Sequence, residues 1–282
     1  MTKFEVRLLG EPDIPAAMRL KELAHWNQTE NDWLRVLRLG PSGCFCATIN
    51  DELVGTITTT TYGNQLAWIG MVLVDPERRR MGIATKLMHV ALEYLANARI
   101  TTVKLDATGE GRSVYQGLGF EEESLIERWE GIARSSLVAC SSLETVERQD
   151  VLGLDRNEFG ASRSKLLEML IEESCVAPCV ATAADGRPTG YALARRGSAA
   201  VYLGPLLANG RDTAANLLDG LLNQAPGQRV YIDVNTGFND CRTVLIERGF
   251  AKRRDLIRMS YGKKSKAGSS RSIFAIAGPE FG

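Results

Sequence analysis

Two spacings of apolar residues alternate along the first half of the chain. Residues 15–23 and 33–39 repeat at helical spacing, while 44–49 and 53–60 read as strands joined at Asn50-Asp51-Glu52, with a threonine run at 58–61 suited to a β ladder. The stretch Leu66–Val74 (LAWIGMVLV) is almost continuously apolar, as a strand covered on both faces must be, and Pro76 ends it. Ala84, Leu87, Met88, Ala91 and Leu95 then return to helical spacing. Residues 103–107 predict another strand, 113–118 a short helix and 122–129 a further strand.

The second half repeats this order. Helices are expected at 146–159, 164–173, 213–222 and 240–248. Strands are expected at 179–184, 189–195, 201–207, 230–234, 251–259 and 273–277. Landmarks recur at a near-constant offset: Gly119-Phe120 and Gly249-Phe250 lie 130 residues apart, as do Arg128 and Arg258, and Asp106 precedes Asp233 by 127. A period this long means two copies of a whole domain rather than a solenoid. The boundary falls in the serine-rich stretch 134–142, giving domains 1–138 and 139–282 of the usual size.

Composition narrows the class of function. With 34 basic and 34 acidic residues the charges cancel, which argues against coating nucleic acid or an anionic membrane. Apolar residues make up 44%, enough for real cores, and no run reaches membrane-spanning length. The expectation is a cytoplasmic protein with reduced, mostly buried thiols and, with only two histidines, no metal site. The Lys-rich segment 262–272 reads as a solvated loop.

The informative stretch follows the apolar strand. Asp75-Pro76-Glu77 leads into Arg79-x-x-Gly82-x-Ala84, which opens an amphipathic helix. A helix start offers unpaired N–H groups and a positive dipole end, a glycine allows close backbone approach, and arginines pair with phosphates. Strand, anion-shaped turn and helix occur in the order that phosphate binding needs. Read without further context, the arginines also suit a solvated loop.

This stretch resembles the R/Q-x-x-G-x-G/A signature of the GCN5-related N-acetyltransferase (GNAT) superfamily, and Tyr115-Gln116-Gly117-Leu118-Gly119-Phe120 resembles that family's Y-x-x-x-G-F segment. The resemblance covers about residues 1–135. It implies an α/β fold, two tandem GNAT domains each with a mixed, splayed sheet flanked by helices. It further implies acetyl-CoA as cosubstrate, held by Val72, Val74, Arg79, Arg80, Gly82, Ile83, Ala84 and Thr85. An amine would attack the thioester directly in a ternary complex. Tyr115 matches the position that protonates the departing thiolate, although a buried aromatic with a satisfied hydroxyl is the plainer reading of the residue itself. Many relatives carry a strand glutamate as base; residues 68–73 hold no acid, so the base is left open among Asp106, Asp32, Glu30, His25 and a water relay.

Trp26, Asn27, Gln28 and Asp32 fall where the family's first helices line the acceptor site, with helix capping and core packing as equal explanations. The second copy lacks the signature, reading Ala208-Asn209-Gly210-Arg211-Asp212-Thr213-Ala214, and Leu245 stands where Tyr115 would recur. It resembles a degenerate acetyltransferase-like domain. The expectation is an N-acetyltransferase acting on a small amine, with catalysis in the first copy, the second copy shaping the acceptor site, and no nucleic-acid or membrane partner. A non-catalytic acyl-CoA-responsive module and a protein N-acetylase are the alternatives.

Overall fold

The computed structural model describes residues 4–135, 141–142 and 147–282; Cys140 and the expected boundary after residue 138 lie outside them. The first half runs β1 (Glu5–Leu8), α1 (Ile14–Leu23), α2 (Glu30–Leu39), β2 (Phe45–Ile49), β3 (Glu52–Tyr62) and β4 (Leu66–Val74). It continues with α3 (Ile83–Asn97), β5 (Thr102–Ala107), α4 (Gly109–Gly117) and β6 (Glu121–Ile132). The second half runs β7 (Ser141–Ser142), α5 (Arg148–Phe159), α6 (Ser164–Glu172), β8 (Cys179–Thr182), β9 (Pro188–Arg195) and β10 (Val201–Ala208). Then come α7 (Arg211–Asn223), β11 (Arg229–Asn235), α8 (Cys241–Ile246), β12 (Ala251–Gly262) and β13 (Ile273–Ala275). Strand β1 was not expected, because its mostly exposed edge carries no apolar run. Helix α2 starts three residues before the apolar pattern does, since Thr29 and Asp32 cap each other's backbone groups in a capping box.

These strands form a single sheet in the order β1-β2-β3-β4-β5-β12-β6-β11-β13-β10-β9-β8-β7. The two halves have exchanged their last long strands. β12 of the second half lies antiparallel to β5, and β6 of the first half lies antiparallel to β11; the two exchanged strands pair with each other at the centre. Landmark residues follow the exchange. Arg258 on β12 grips Asp106 on β5 with both contacts at 2.8 Å, while Arg128 on β6 grips Asp233 on β11, with Nε donating at 2.7 Å. Each aspartate is therefore neutralised by the other half's arginine, and both pairs are buried.

The core follows the same logic. One apolar cluster joins Trp33 and Trp68 of the first half to Phe159, Leu193 and Phe281 of the second. Residues 276–282 cross back over the first half. Tyr62 donates to the Phe281 carbonyl at 2.7 Å and the Trp68 indole to that of Pro279 at 3.2 Å. Two sequence expectations change here. The 262–272 segment is anchored rather than simply solvated, because the buried Lys104 ammonium donates to the carbonyls of Ser265 and Ala267. Cys44, Cys46, Cys175 and Cys241 are free, but Cys179 is disulfide-bonded, so the thiols are not all reduced.

Candidate active site

β4 and β5 begin as a parallel pair at Leu66↔Thr102, Ala67↔Val103 and Trp68↔Lys104, and pair no further. Met71 stands just past the parting. Its φ of +50° marks a bulge, at the point where the β3–β4 register slips between Thr56 and Thr58. Residues 69–74 of β4 have no strand partner on the β5 side. Val72 and Val74 are half-buried on that open edge.

The strand runs into the arginine turn. Arg80 and Gly82 both take left-handed backbone, at φ +64° and +81°, and Gly82 is the N-cap of α3. The Lys86 amide is the first to close onto Gly82, so the amides of Ile83, Ala84 and Thr85 have no intrahelical acceptor. A Cβ on Gly82 would meet nothing within 4 Å, so the protein's own demand for glycine there is conformational. The side chains of Arg78 and Arg80 make no hydrogen bond or ion pair among the described residues, and Arg79 reaches Glu110 of α4 at 3.3 Å. Turn, open edge and α4 enclose a cleft of about 800 Å3, lined by Val72, Val74, Arg79, Gly82, Thr85 and Tyr115 among others. Every residue expected to hold the cosubstrate borders this cleft.

Tyr115 stands on α4 at its inner end. The ring packs so closely beside Gly111 that a Cβ there would lie 2.8 Å from it. Its hydroxyl has no protein hydrogen-bond partner among the described residues, and burial pushes its pKa up to about 12. A recess of about 60 Å3 opens next to it. The cleft and the recess share Trp26, Val72, Thr108, Tyr115 and Arg254, and Gln28, Asp106 and Glu280 border the recess alone.

The expected acceptor residues divide. Trp26 borders both spaces and Gln28 the recess. Asn27 and Asp32 border neither. The Asn27 side chain is spent on the second half, donating to Ala200 and accepting from the amides of Ala199 and Ala200. Asp32 caps α2 and pairs with Arg35 and Arg195. Burial alone would raise its pKa, but Arg195 and Arg35 hold it below the usual carboxylate range. Among the open candidates for a base, Asp106 is enclosed and held on both oxygens by Arg258, and His25 is exposed on the cleft rim.

The sequence reading missed the residues that the second half contributes. Arg254, Asp255 and Leu256 arrive on β12, and Pro279 and Glu280 on the 276–282 segment. Glu280 lies directly over Gly70 of β4, where an added Cβ would come within 2.6 Å of the Glu280 Cα. Burial raises its carboxyl pKa, while Arg195 and Gln28 bond its two oxygens at 3.0 Å each. Gly70 was the one available signal, a glycine inside an otherwise bulky apolar strand.

The corresponding place in the second half is closed. β10 and β11 also start as a parallel pair, at Val201–Leu203 against Val230–Ile232, but β13 fills the split beyond. It pairs with β10 at Leu206 and Leu207 and with β11 at Val234. Helix α7 starts from an extended Gly210 instead of a left-handed one.

Comparison with known proteins agrees with this geometry. Residues 12–120 match the acetyltransferase (GNAT) family, and residues 151–275 match an acetyltransferase (GNAT) domain. The uncharacterized N-acetyltransferase YitH of Bacillus subtilis is 26% identical over 93% of both chains. Holothin acyltransferase of a Pseudoalteromonas species is 26% identical over 91% of this chain and 87% of its own. In fold, the chain is similar to an acetyltransferase candidate from Pyrococcus horikoshii, with a TM-score of 0.86 at 21% identity, covering 100% of this chain and 97% of the other. It is also similar to a tandem GNAT protein from the clavulanic acid biosynthesis pathway, with a TM-score of 0.65 at 15% identity, covering 93% and 100%. With both halves matched and the signature turn set at the mouth of a splayed sheet, the chain belongs to the GNAT acetyltransferase family.

Proposed function

We propose that this chain transfers the acetyl group of acetyl-CoA to the nitrogen of a small amine, by direct attack within a ternary complex in the first half. The observation that carries this reading is the continuity of one cleft. It runs from three unpaired helix-start amides, along an unpaired strand edge, to an unpartnered tyrosine hydroxyl. Those features fit the three parts of the cosubstrate in order: a pyrophosphate at Ile83–Thr85 beneath Arg79 and Arg80, an amide-bearing pantetheine arm along Val72 and Val74, and a thioester beside Tyr115. Acetyl-CoA supplies the activated acyl carbon. The protein orients it and excludes water, and free β4 amides donate to the oxygen that gains charge. The Tyr115 hydroxyl donates a hydrogen bond to the departing sulfur. Glu280, suspended over Gly70, is the acid whose raised pKa suits it to receive the amine's proton through the recess.

The small volume of the recess favours a small acceptor over a protein chain. The likeness to holothin acyltransferase along nearly the whole chain supports acyl transfer as the reaction class.

Calorimetry with acetyl-CoA tests the site. Gly82→Glu should weaken binding at least about tenfold through charge repulsion and steric conflict. Gly82→Asn is the control, because asparagine tolerates left-handed backbone and brings no negative charge. Wild-type protein that does not bind acetyl-CoA, or equal binding by the glutamate variant, would remove this site from consideration.

A further inference from the structure

One charged group bordering the recess has no counterpart. Arg254 borders both the cleft and the recess, and its guanidinium makes no hydrogen bond or ion pair among the described residues. Its Nε is enclosed without an acceptor. The acids nearby are already matched. Asp106 is held by Arg258, Glu280 by Arg195, Asp233 by Arg128, and Asp255 by Lys252 at 2.7 Å. An arginine stays charged in any such setting, so the recess keeps one uncompensated positive charge. Burial and the neighbouring Arg128 both act against that charge, as its lowered pKa records. Desolvating a cation without a partner is costly, and an anion supplied from outside would offset that cost.

The anion is not the cosubstrate's pyrophosphate. The recess includes Trp26, Val72, Thr108 and Tyr115 but none of the residues from Arg78 to Thr85, so Arg254 stands at the acyl end. A second group there also lacks a partner. Gln28 is 8% exposed and borders the recess, and its Oε1 is buried without a donor while its amide nitrogen bonds Glu280. One missing anion and one missing N–H donor lie around the same small space.

Taking the cleft as the acetyl-transfer site proposed above, we propose that the acceptor is a small amine that also carries a carboxylate. Arg254 binds the carboxylate, and Gln28 Oε1 accepts from the amine on the side of Tyr115. The planar guanidinium fork suits a carboxylate, and the small recess leaves little room for a bulkier anion. The site therefore selects amino-acid-like molecules and depends on β12, the strand that the second half lends to the first.

The test compares matched acceptors: α-, β- and γ-amino acids, their carboxamides, and the corresponding aminophosphonates. CoA release is followed in wild type and Arg254→Gln. Wild type should favour carboxylates over carboxamides in kcat/KM by at least about tenfold, and Arg254→Gln should bring that ratio close to one. Equal use of both, a preference for phosphonates, or a ratio that survives in Arg254→Gln overturns the proposal. A second measurement needs no turnover: calorimetric binding of N-acetyl amino acids and their amides to both proteins. A carboxylate preference lost with Arg254 supports the proposal even if no amine is acetylated, a result that would count against acetyl transfer instead. No carboxylate preference in this binding measurement overturns it.

Discussion

At the scale of single residues, Tyr115 is where chemistry and packing separate most cleanly. Its ring is fixed by Gly111 and Phe120, whereas its hydroxyl is bonded to nothing among the described residues. With the hydroxyl at about 12 and a thiol near ~8.5, complete proton transfer to the thiolate is uphill. In the proposed transfer the hydroxyl would therefore act first as a hydrogen-bond donor to the sulfur that gains charge. Tyr115→Phe keeps the ring, so the melting temperature and acetyl-CoA affinity should hardly move. Turnover should fall roughly a hundredfold. Near-normal turnover would make Tyr115 a packing residue. Asp32 shows the opposite case, a residue of inviting chemistry and position whose carboxylate is wholly taken up by capping and by two arginines.

At the scale of elements, the same strand pair serves two ends. β4 and β5 part after Trp68 and leave an open edge; β10 and β11 part likewise, but β13 lies between them. Gly204 shows how tightly that second split is filled, since an added Cβ would lie 2.2 Å from the Ile276 carbonyl oxygen. A pantetheine arm could bind there only by displacing a buried strand. Titration with acetyl-CoA should therefore saturate at one equivalent per chain, read by calorimetry on the whole 282-residue chain. A second equivalent of comparable affinity would contradict the reading of β13 as a plug. The exposed Arg211, already paired with Glu247, offers a second phosphate site little, because solvent screens such surface charges.

At the scale of the whole molecule, strand exchange makes the halves interdependent. Neither exchanged strand contributes to its own half's side of the sheet, and the shared core joins Trp68 to Phe159 and Phe281. Residues 1–138 by themselves would lack β12, and with it β5's neighbour, Arg254 and the partner of Asp106. Thermal unfolding should accordingly be one transition. Asp233→Asn leaves the buried Arg128 without its charge partner, at a cost of about 3–5 kcal/mol, and should move that single transition down as a whole. Two calorimetric transitions, only one of them shifted, would show that the halves unfold independently.

Much of the first half's site was legible because its determinants are local. The apolar run of β4, the breaking Pro76, the left-handed Gly82 and the helix after it lie within a few turns of chain, as does the Tyr115 segment. The 130-residue repeat likewise showed that two copies exist, because equivalent positions carry equivalent side chains. That equivalence is also why the sequence could not show the exchange. With Arg128 and Arg258 at matching places on β6 and β12, either strand satisfies either aspartate. Local preference is thus the same for both arrangements, and only the packing of the whole chain distinguishes them. The assignment of Arg254 to the cleft, of Glu280 to the space over Gly70 and of β13 to the second split depends on contacts between residues far apart in sequence. Those choices belong to the tertiary structure, because no periodicity or motif encodes which distant strand fills a given edge.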